Sequence, residues 1–200
     1  MKVVLWFLMM FMPLMASASS VNEEQLFHRL DSYIAQRSKF TQRKEAKLLR
    51  LKKQLYMTSD KHSQLSLYNQ IYREYYTYRY DSAMTYAKKG YEQAIQLQDD
   101  YFINLNKINR AAVLSTGGFY SQAEDLMLAM DVEKKSPKLL QYYYYTLTWV
   151  YNYWGTFCNK SEFQEGLVAK KRFYLGKTLE HIGNKESALY YYLSGEFEYL

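Results

Sequence analysis

The sequence predicts an all-α fold, a solenoid of stacked helix hairpins, from three observations. The 200 residues include only 2 prolines and 8 glycines, too few turn-formers for a chain built of strands and tight turns. Apolar residues recur three and four positions apart along most of the chain, which is the period of one helix face. Three stretches also resemble one another at intervals of several tens of residues, as the units of a repeat array do. Composition agrees with a folded chain. Apolar residues make up 48% and charged residues 23%, which excludes a disordered polymer. The lone Cys158 rules out an internal disulfide and a thiolate zinc site, and reads as a buried structural thiol.

The N-terminus reads as an export signal. Lys2 is the only charge before Glu23, Val3 to Met15 is apolar apart from Pro13, and Ala16-Ser17-Ala18 follows. A positive start, an apolar run and small residues at a cleavage site define a secretory signal peptide, assigned here to residues 1–18. The uncharged apolar run of roughly sixteen residues falls short of the ~20 that span a bilayer. No cysteine lies near the cleavage site, so no lipoprotein anchor is expected. The chain is expected to be exported, either to the periplasmic face of a Gram-negative inner membrane or out of the cell.

Residues 22–60 are expected to form an N-terminal helical pair. Leu26, Leu30 and Ile34 mark one helix face, and Leu48, Leu51 and Leu55 mark another. Between Arg37 and Lys53 there are eight basic residues against one acid, Glu45. These charges interleave with apolar positions, so they read as a solvated helix face. Nucleic acid is not expected as a partner of an exported chain.

Residues 61–200 read as the repeat array. The first stretch carries Leu67, Ile71, Tyr80-Asp81-Ser82-Ala83, Ala87 and Gly90. The second carries Ala111, Leu114, Gly118, Tyr120, Ala123 and Met127. The third carries Leu175-Gly176, Leu179, Gly183, Ala188 and Tyr192. Each reads as a helix, a turn and a second helix. Gly118 and Gly183 sit where first helices end, as C-terminal glycines do. Ser121, and Asn184 or Ser187, are the candidate starts of second helices. Ala83 and Ala123 lie 40 positions apart, and Ala123 and Ala188 lie 65 apart. The longer gap holds a further, degenerate repeat. Its first helix is expected to open at Ser136-Pro137, a cap residue with proline in the first turn, and to run through Leu139, Leu147 and Trp154. Tyr142 to Tyr145 point all round such a helix, so more than one of its faces must be covered. Gly155 to Ser161 reads as its turn, and Phe163, Leu167 and Val168 as the opening of its second helix.

This pattern resembles the tetratricopeptide repeat, a right-handed α-solenoid of helix hairpins. The resemblance implies that the small residues Ala83, Ala111, Gly118, Ala123, Gly176, Gly183 and Ala188 serve repeat packing, because helices cross closely only over small side chains. It also implies that first helices line a concave ligand groove. Carried over, the groove positions are Tyr68, Tyr72, Tyr75 and Tyr76, then Ile108, Asn109, Ala112 and Ser115, and finally Phe173, Lys177, Glu180 and His181. The candidate ligand-binding set is Tyr68, Tyr72, Tyr76, Asn109, Lys177 and His181. Tyrosines of this kind suit a peptide or an envelope glycan, with area and a hydroxyl at low entropic cost. Only Asn109 falls on a position of the peptide clamp that grips C-terminal carboxylates, so a reader of chaperone tails is not expected.

Leu30-Asp31, Lys44-Glu45, Tyr80-Asp81-Ser82-Ala83 and Gly118-x-Tyr120-x-x-Ala123 together resemble the sensor half of a family of Bacteroidota membrane proteins. Members carry a signal peptide, a periplasmic repeat array, one membrane helix, a coiled coil and a cytoplasmic domain, and are described as regulators of transcription. The resemblance implies a membrane tether downstream of residue 200. The array is expected to be truncated at its C-terminus, because Phe197, Tyr199 and Leu200 leave an apolar end without a polar capping helix.

No catalytic chemistry is expected. His28, His62 and His181 share no metal-ligand spacing, and no phosphate loop, nucleophile elbow or paired-cysteine motif occurs. Acids such as Glu124-Asp125 and Asp99-Asp100 read as solvated helix faces. The expectation is a binding or scaffold protein that needs no cofactor and no metal, with a protein or peptide partner. Circular dichroism of the exported chain should be dominated by helix, and a strand-dominated spectrum would overturn this architecture.

Overall fold

The computed structural model describes residues 22–132 and 135–200, where nine helices and no strand are found. The leader reading of residues 1–18 lies outside the described residues. The chain divides into two compact units after Glu45.

The first unit holds α1 (Glu23–Ala35) and the opening turns of α2 (Arg37–Met57). The Asn22 side chain accepts from the Glu24 N–H at 3.1 Å, and Glu23 and Glu24 place negative charge at the positive end of the helix dipole. Only Gln36 separates the two helices. Its N–H donates to the Ser32 and Tyr33 carbonyls, and its own carbonyl accepts from the Phe40 N–H at 3.2 Å. One residue cannot reverse the chain, so α1 and the start of α2 run on from each other and do not fold back as a hairpin. No residue of α1 is buried.

The second unit is the solenoid. Helices α3 (Lys61–Tyr76) and α4 (Tyr80–Gln96) form the first hairpin, and α5 (Asp100–Thr116) and α6 (Tyr120–Leu128) the second. Helices α7 (Pro137–Phe157) and α8 (Gln164–His181) form the third, followed by α9 (Ala188–Tyr199). Local chemistry sets the starts. Asp60, Asp99, Ser136 and Ser187 each accept a main-chain N–H with the side chain, and Pro137 occupies the first turn of α7. Helix α5 ends as a Schellman turn. Gly118 takes a positive φ of 84°, its N–H donates to Ser115, and the Phe119 N–H donates to Leu114 at 2.9 Å.

Close crossing is achieved with small residues. Ala83, Ala87, Ala94, Ala111 and Ala123 have no exposed surface. Gly90 allows α4 to meet α5 so closely that an added Cβ would lie 2.8 Å from Asn106 Oδ1. Gly176 faces Phe197 across α8 and α9, where an added Cβ would stand at 3.3 Å. Leu48 and Leu51 of α2 join Ile71, Tyr72, Tyr75, Ala83, Ala87 and Val113 in one core. A second core joins Leu105, Ile108, Met127, Leu139, Tyr143, Leu147 and Tyr151. The second and third hairpins are locked by Glu124. One of its carboxylate oxygens accepts from the Tyr151 hydroxyl at 2.5 Å and from Lys170 at 2.8 Å. Burial pushes the Glu124 carboxyl up, but the Lys170 ammonium and the Tyr151 hydroxyl together outweigh it and hold the group below its ordinary value.

Four expectations about the degenerate repeat and the third stretch are corrected. The degenerate repeat's second helix and the third repeat's first helix are one helix, α8, because Val168-Ala169-Lys170-Lys171-Arg172-Phe173 contains no breaker. Ala188 therefore opens a helix that follows the third hairpin, and it is exposed instead of packed at a crossing. Gly183 has no positive φ and open space around it, since Ile182 ends α8 in an extended conformation. Gly155, expected in a turn, lies inside α7 and is buried, with Leu167 of α8 lying 3.7 Å from an added Cβ.

Ala123→Leu should force α5 and α6 apart at a cost of ~1–3 kcal/mol, read as a lower melting temperature; an unchanged melt would contradict this crossing. Glu124→Ala leaves the Tyr151 hydroxyl buried without its acceptor, and should cost ~1–3 kcal/mol by chemical denaturation.

Candidate functional site: an aromatic pocket between three first helices

Helices α3, α5 and α7 are the first helices of the three hairpins, and they stand side by side. A pocket of about 370 Å³ opens between them, within the ~300–1,000 Å³ of ordinary ligand sites. Helix α3 contributes Asn69, Tyr72, Arg73 and Tyr76. Helix α5 contributes Tyr101, Leu105, Ile108, Asn109, Ala112 and Ser115. Helix α7 contributes Lys138, Tyr142, Tyr145, Thr146 and Trp149. Each set follows helical spacing, so successive turns of each helix deliver side chains to the same cleft.

Part of the lining is polar and already ordered. The Tyr72 hydroxyl donates to the Asn109 carbonyl at 3.3 Å, and Asn109 Nδ2 donates to Asn69 Oδ1 at 3.1 Å. That pair leaves the Asn109 side-chain oxygen to accept and the Asn69 amide nitrogen to donate, the complement of a peptide group or of sugar hydroxyls. The walls are aromatic. Tyr72 and Tyr76 have ring centroids 5.8 Å apart, and Tyr145 and Trp149 meet edge to face at 6.1 Å. Arg73 and Lys138 are exposed and bring two positive charges, while no carboxylate is found among the described lining residues. Burial is the main cause that raises Tyr72, Tyr76 and Tyr145 above their ordinary value. It pushes Tyr72 well above its ordinary range, Tyr145 upward, and Tyr76 up to about 12, with Tyr153 and Tyr145 adding to the last.

Of the candidate ligand set, the structure brings Tyr72, Tyr76 and Asn109 together in this pocket. Ile108, Ala112 and Ser115 join them. Tyr68 lies elsewhere, with its ring 6.3 Å from Tyr86 of α4. Tyr75 is buried and stacks on Tyr78 and Tyr86. Lys177 and His181 are also away from the pocket, because α8 is the return helix of its hairpin. Lys177 pairs with Glu180 at 2.8 Å. His181 Nδ1 donates to the Lys177 carbonyl at 2.9 Å, and its ring lies 5.1 Å from Tyr144. Arg73, Tyr101, Lys138, Tyr142, Tyr145 and Trp149 were not in the candidate set. The signal for the last four was the spacing 138, 142, 145 and 149 on a helix already expected to be the first of its pair.

No group of three or more His, Cys, Asp or Glu side chains is placed to hold a metal ion among the described residues. No helix there is long and apolar enough to cross a membrane.

The hairpin array and its groove of first helices define a tetratricopeptide-type binding domain. The family model described as the SusR N-terminal TPR domain matches residues 34–199, and the chain belongs to that family. No curated protein and no solved structure matches the chain.

The buried tyrosines predict an alkaline limit to stability. In the unfolded chain they ionise near 10.0, whereas folded Tyr76 holds its proton to about 12. Below pH 10 both states are neutral and this contribution is complete. Above it the unfolded chain ionises first, so the melting temperature should fall steadily as pH rises from about 10 to 12.

Proposed function

We propose that this chain is the non-catalytic binding domain of an exported, membrane-tethered regulator, and that the pocket between α3, α5 and α7 is where its ligand is read. The observation that carries this reading is the origin of the pocket walls, one from each of three successive hairpins. A ligand that touches all three favours one spacing of the hairpins over others, and that differential contact is what a sensory array needs to shift a conformational equilibrium. The ligand is a peptide segment of a partner protein, seated on the Asn69–Asn109 pair and against the Tyr76, Tyr145 and Trp149 rings. The Tyr145–Trp149 wall supports a second reading, a free secreted module that stacks an envelope glycan.

Titration of the exported chain with peptide and oligosaccharide panels, followed by tryptophan fluorescence, tests the site. Tyr76→Ala and Tyr145→Ala should each weaken binding by about tenfold or more, the scale of an aromatic anchor. Binding that both variants leave unchanged would remove the pocket from the reading. Sequencing the gene beyond Leu200 separates the two settings. A membrane helix and a coiled coil in frame support the tethered regulator, and a stop codon favours the secreted module.

A further inference from the structure

The pocket carries two cations and no acid to meet them. Arg73 stands in the last turn of α3 and Lys138 in the first turn of α7, both exposed. Elsewhere in this unit lysines are neutralised by carboxylates. Lys135 meets Asp100 at 2.9 Å, and Lys170 and Lys177 meet Glu124 and Glu180 at 2.8 Å. Among the described residues no carboxylate stands within ion-pair distance of Arg73 or Lys138, and none lines the pocket. A cation in the first turn of a helix opposes the helix dipole, so Lys138 does nothing for the stability of α7. The Arg73 charge is felt inside the cleft, where it acts on the buried Tyr72 hydroxyl against the effect of burial.

The two cations sit at opposite corners. The Asp100–Lys135 pair sets the start of α7 level with the start of α5, and the Asn69–Asn109 bond sets Asn69 against the middle of α5. First helices of successive hairpins run the same way. Lys138 therefore lies at the end of the pocket where these helices begin, and Arg73 lies one turn past Asn69 toward the other end. On a rise of ~1.5 Å per residue the two positions are roughly 15 Å apart along the helix direction. An extended peptide covers that distance in about four or five residues. We infer that the pocket selects an acidic peptide segment whose two side-chain carboxylates stand about four or five residues apart, one held by Arg73 and the other by Lys138; this rests on the reading of the pocket as the ligand site. The Arg73 guanidinium offers a planar fork to its carboxylate, and Lys138 a point charge. The residues between the two acids then lie against the Tyr76, Tyr145 and Trp149 rings, with a backbone amide on the Asn69–Asn109 pair.

Affinity selection by the exported chain from a library of hexapeptides, acetylated and amidated so that no terminal charge remains, tests this. The bound peptides should carry Asp or Glu at two positions about four or five apart. Replacing each acid by its amide should weaken binding about tenfold, the scale of a charge-assisted hydrogen bond. Arg73→Gln and Lys138→Gln should each remove the preference for one acid. Arg73→Glu with Lys138→Glu should turn the preference toward Lys and Arg. Helix content should be unchanged in all of these, because both side chains are exposed. Peptides bound without acidic preference, but lost in Tyr76→Ala, overturn the inference and leave the pocket as the ligand site. An acidic preference that survives Arg73→Gln with Lys138→Gln also overturns it, as does binding of polygalacturonate fragments in place of peptides. Absence of any binding that Tyr76→Ala weakens overturns the pocket reading and this inference together.

Discussion

The solenoid depends on how closely its helices cross. Two helices can approach only as far as the side chains between their axes permit, and here those positions are Ala83, Ala87, Ala94, Ala111 and Ala123, all without exposed surface, together with Gly90 and Gly176. With these contacts short, the larger residues interdigitate to either side, and Ile71, Met127, Leu147 and Val150 are fully enclosed. The same constraint positions the pocket. Three first helices held at fixed separations by their return helices leave one cleft between them, and its lining follows from which turns face it.

Tyrosine dominates the chain, and burial divides its work. A tyrosine ring brings a large apolar area, but its hydroxyl must find a partner once water is excluded. Tyr151 meets that demand at Glu124, and the carboxylate is in turn held by Lys170, so one buried hydroxyl ties the second hairpin to the third. Tyr72 meets it at the Asn109 carbonyl, which ties the first hairpin to the second and orders the pocket lining. Tyr142 is exposed beside the pocket. One residue type thus supplies the joints between repeats and the walls of the cleft, and neighbouring positions on one helix, Tyr142 to Tyr145, serve both purposes at once.

The two units follow different rules. The array from Ala46 onward buries three apolar cores between its own helices. The segment before it has good helix-forming chemistry, an asparagine cap and acidic first turn included, but no apolar partner within its own unit. A helix of this length gains little from propensity alone. Its exposed apolar residues, Leu26, Phe27, Leu30, Tyr33, Ile34 and Phe40, are therefore the feature that defines it physically.

Much of the architecture was determined by the sequence by itself. Helix type, the Ser136-Pro137 start, the Gly118 turn and the small residues at 83, 111 and 123 follow from local backbone preference and from spacing, which act over a few residues. Three pocket residues, Tyr72, Tyr76 and Asn109, were legible because the first two repeats are regular enough for position to imply direction. The tertiary structure decided the rest. The sequence could not say that the residues from Gln164 to His181 form a single helix, because a missing breaker permits continuity without requiring it. That one fact turned Lys177 and His181 away from the pocket and left Ala188 exposed. Arg73 lies on α3, whereas Lys138, Tyr145 and Trp149 lie on α7, distant from it in sequence. Which of their faces meet depends on hairpin packing across the whole array, and no local preference encodes that.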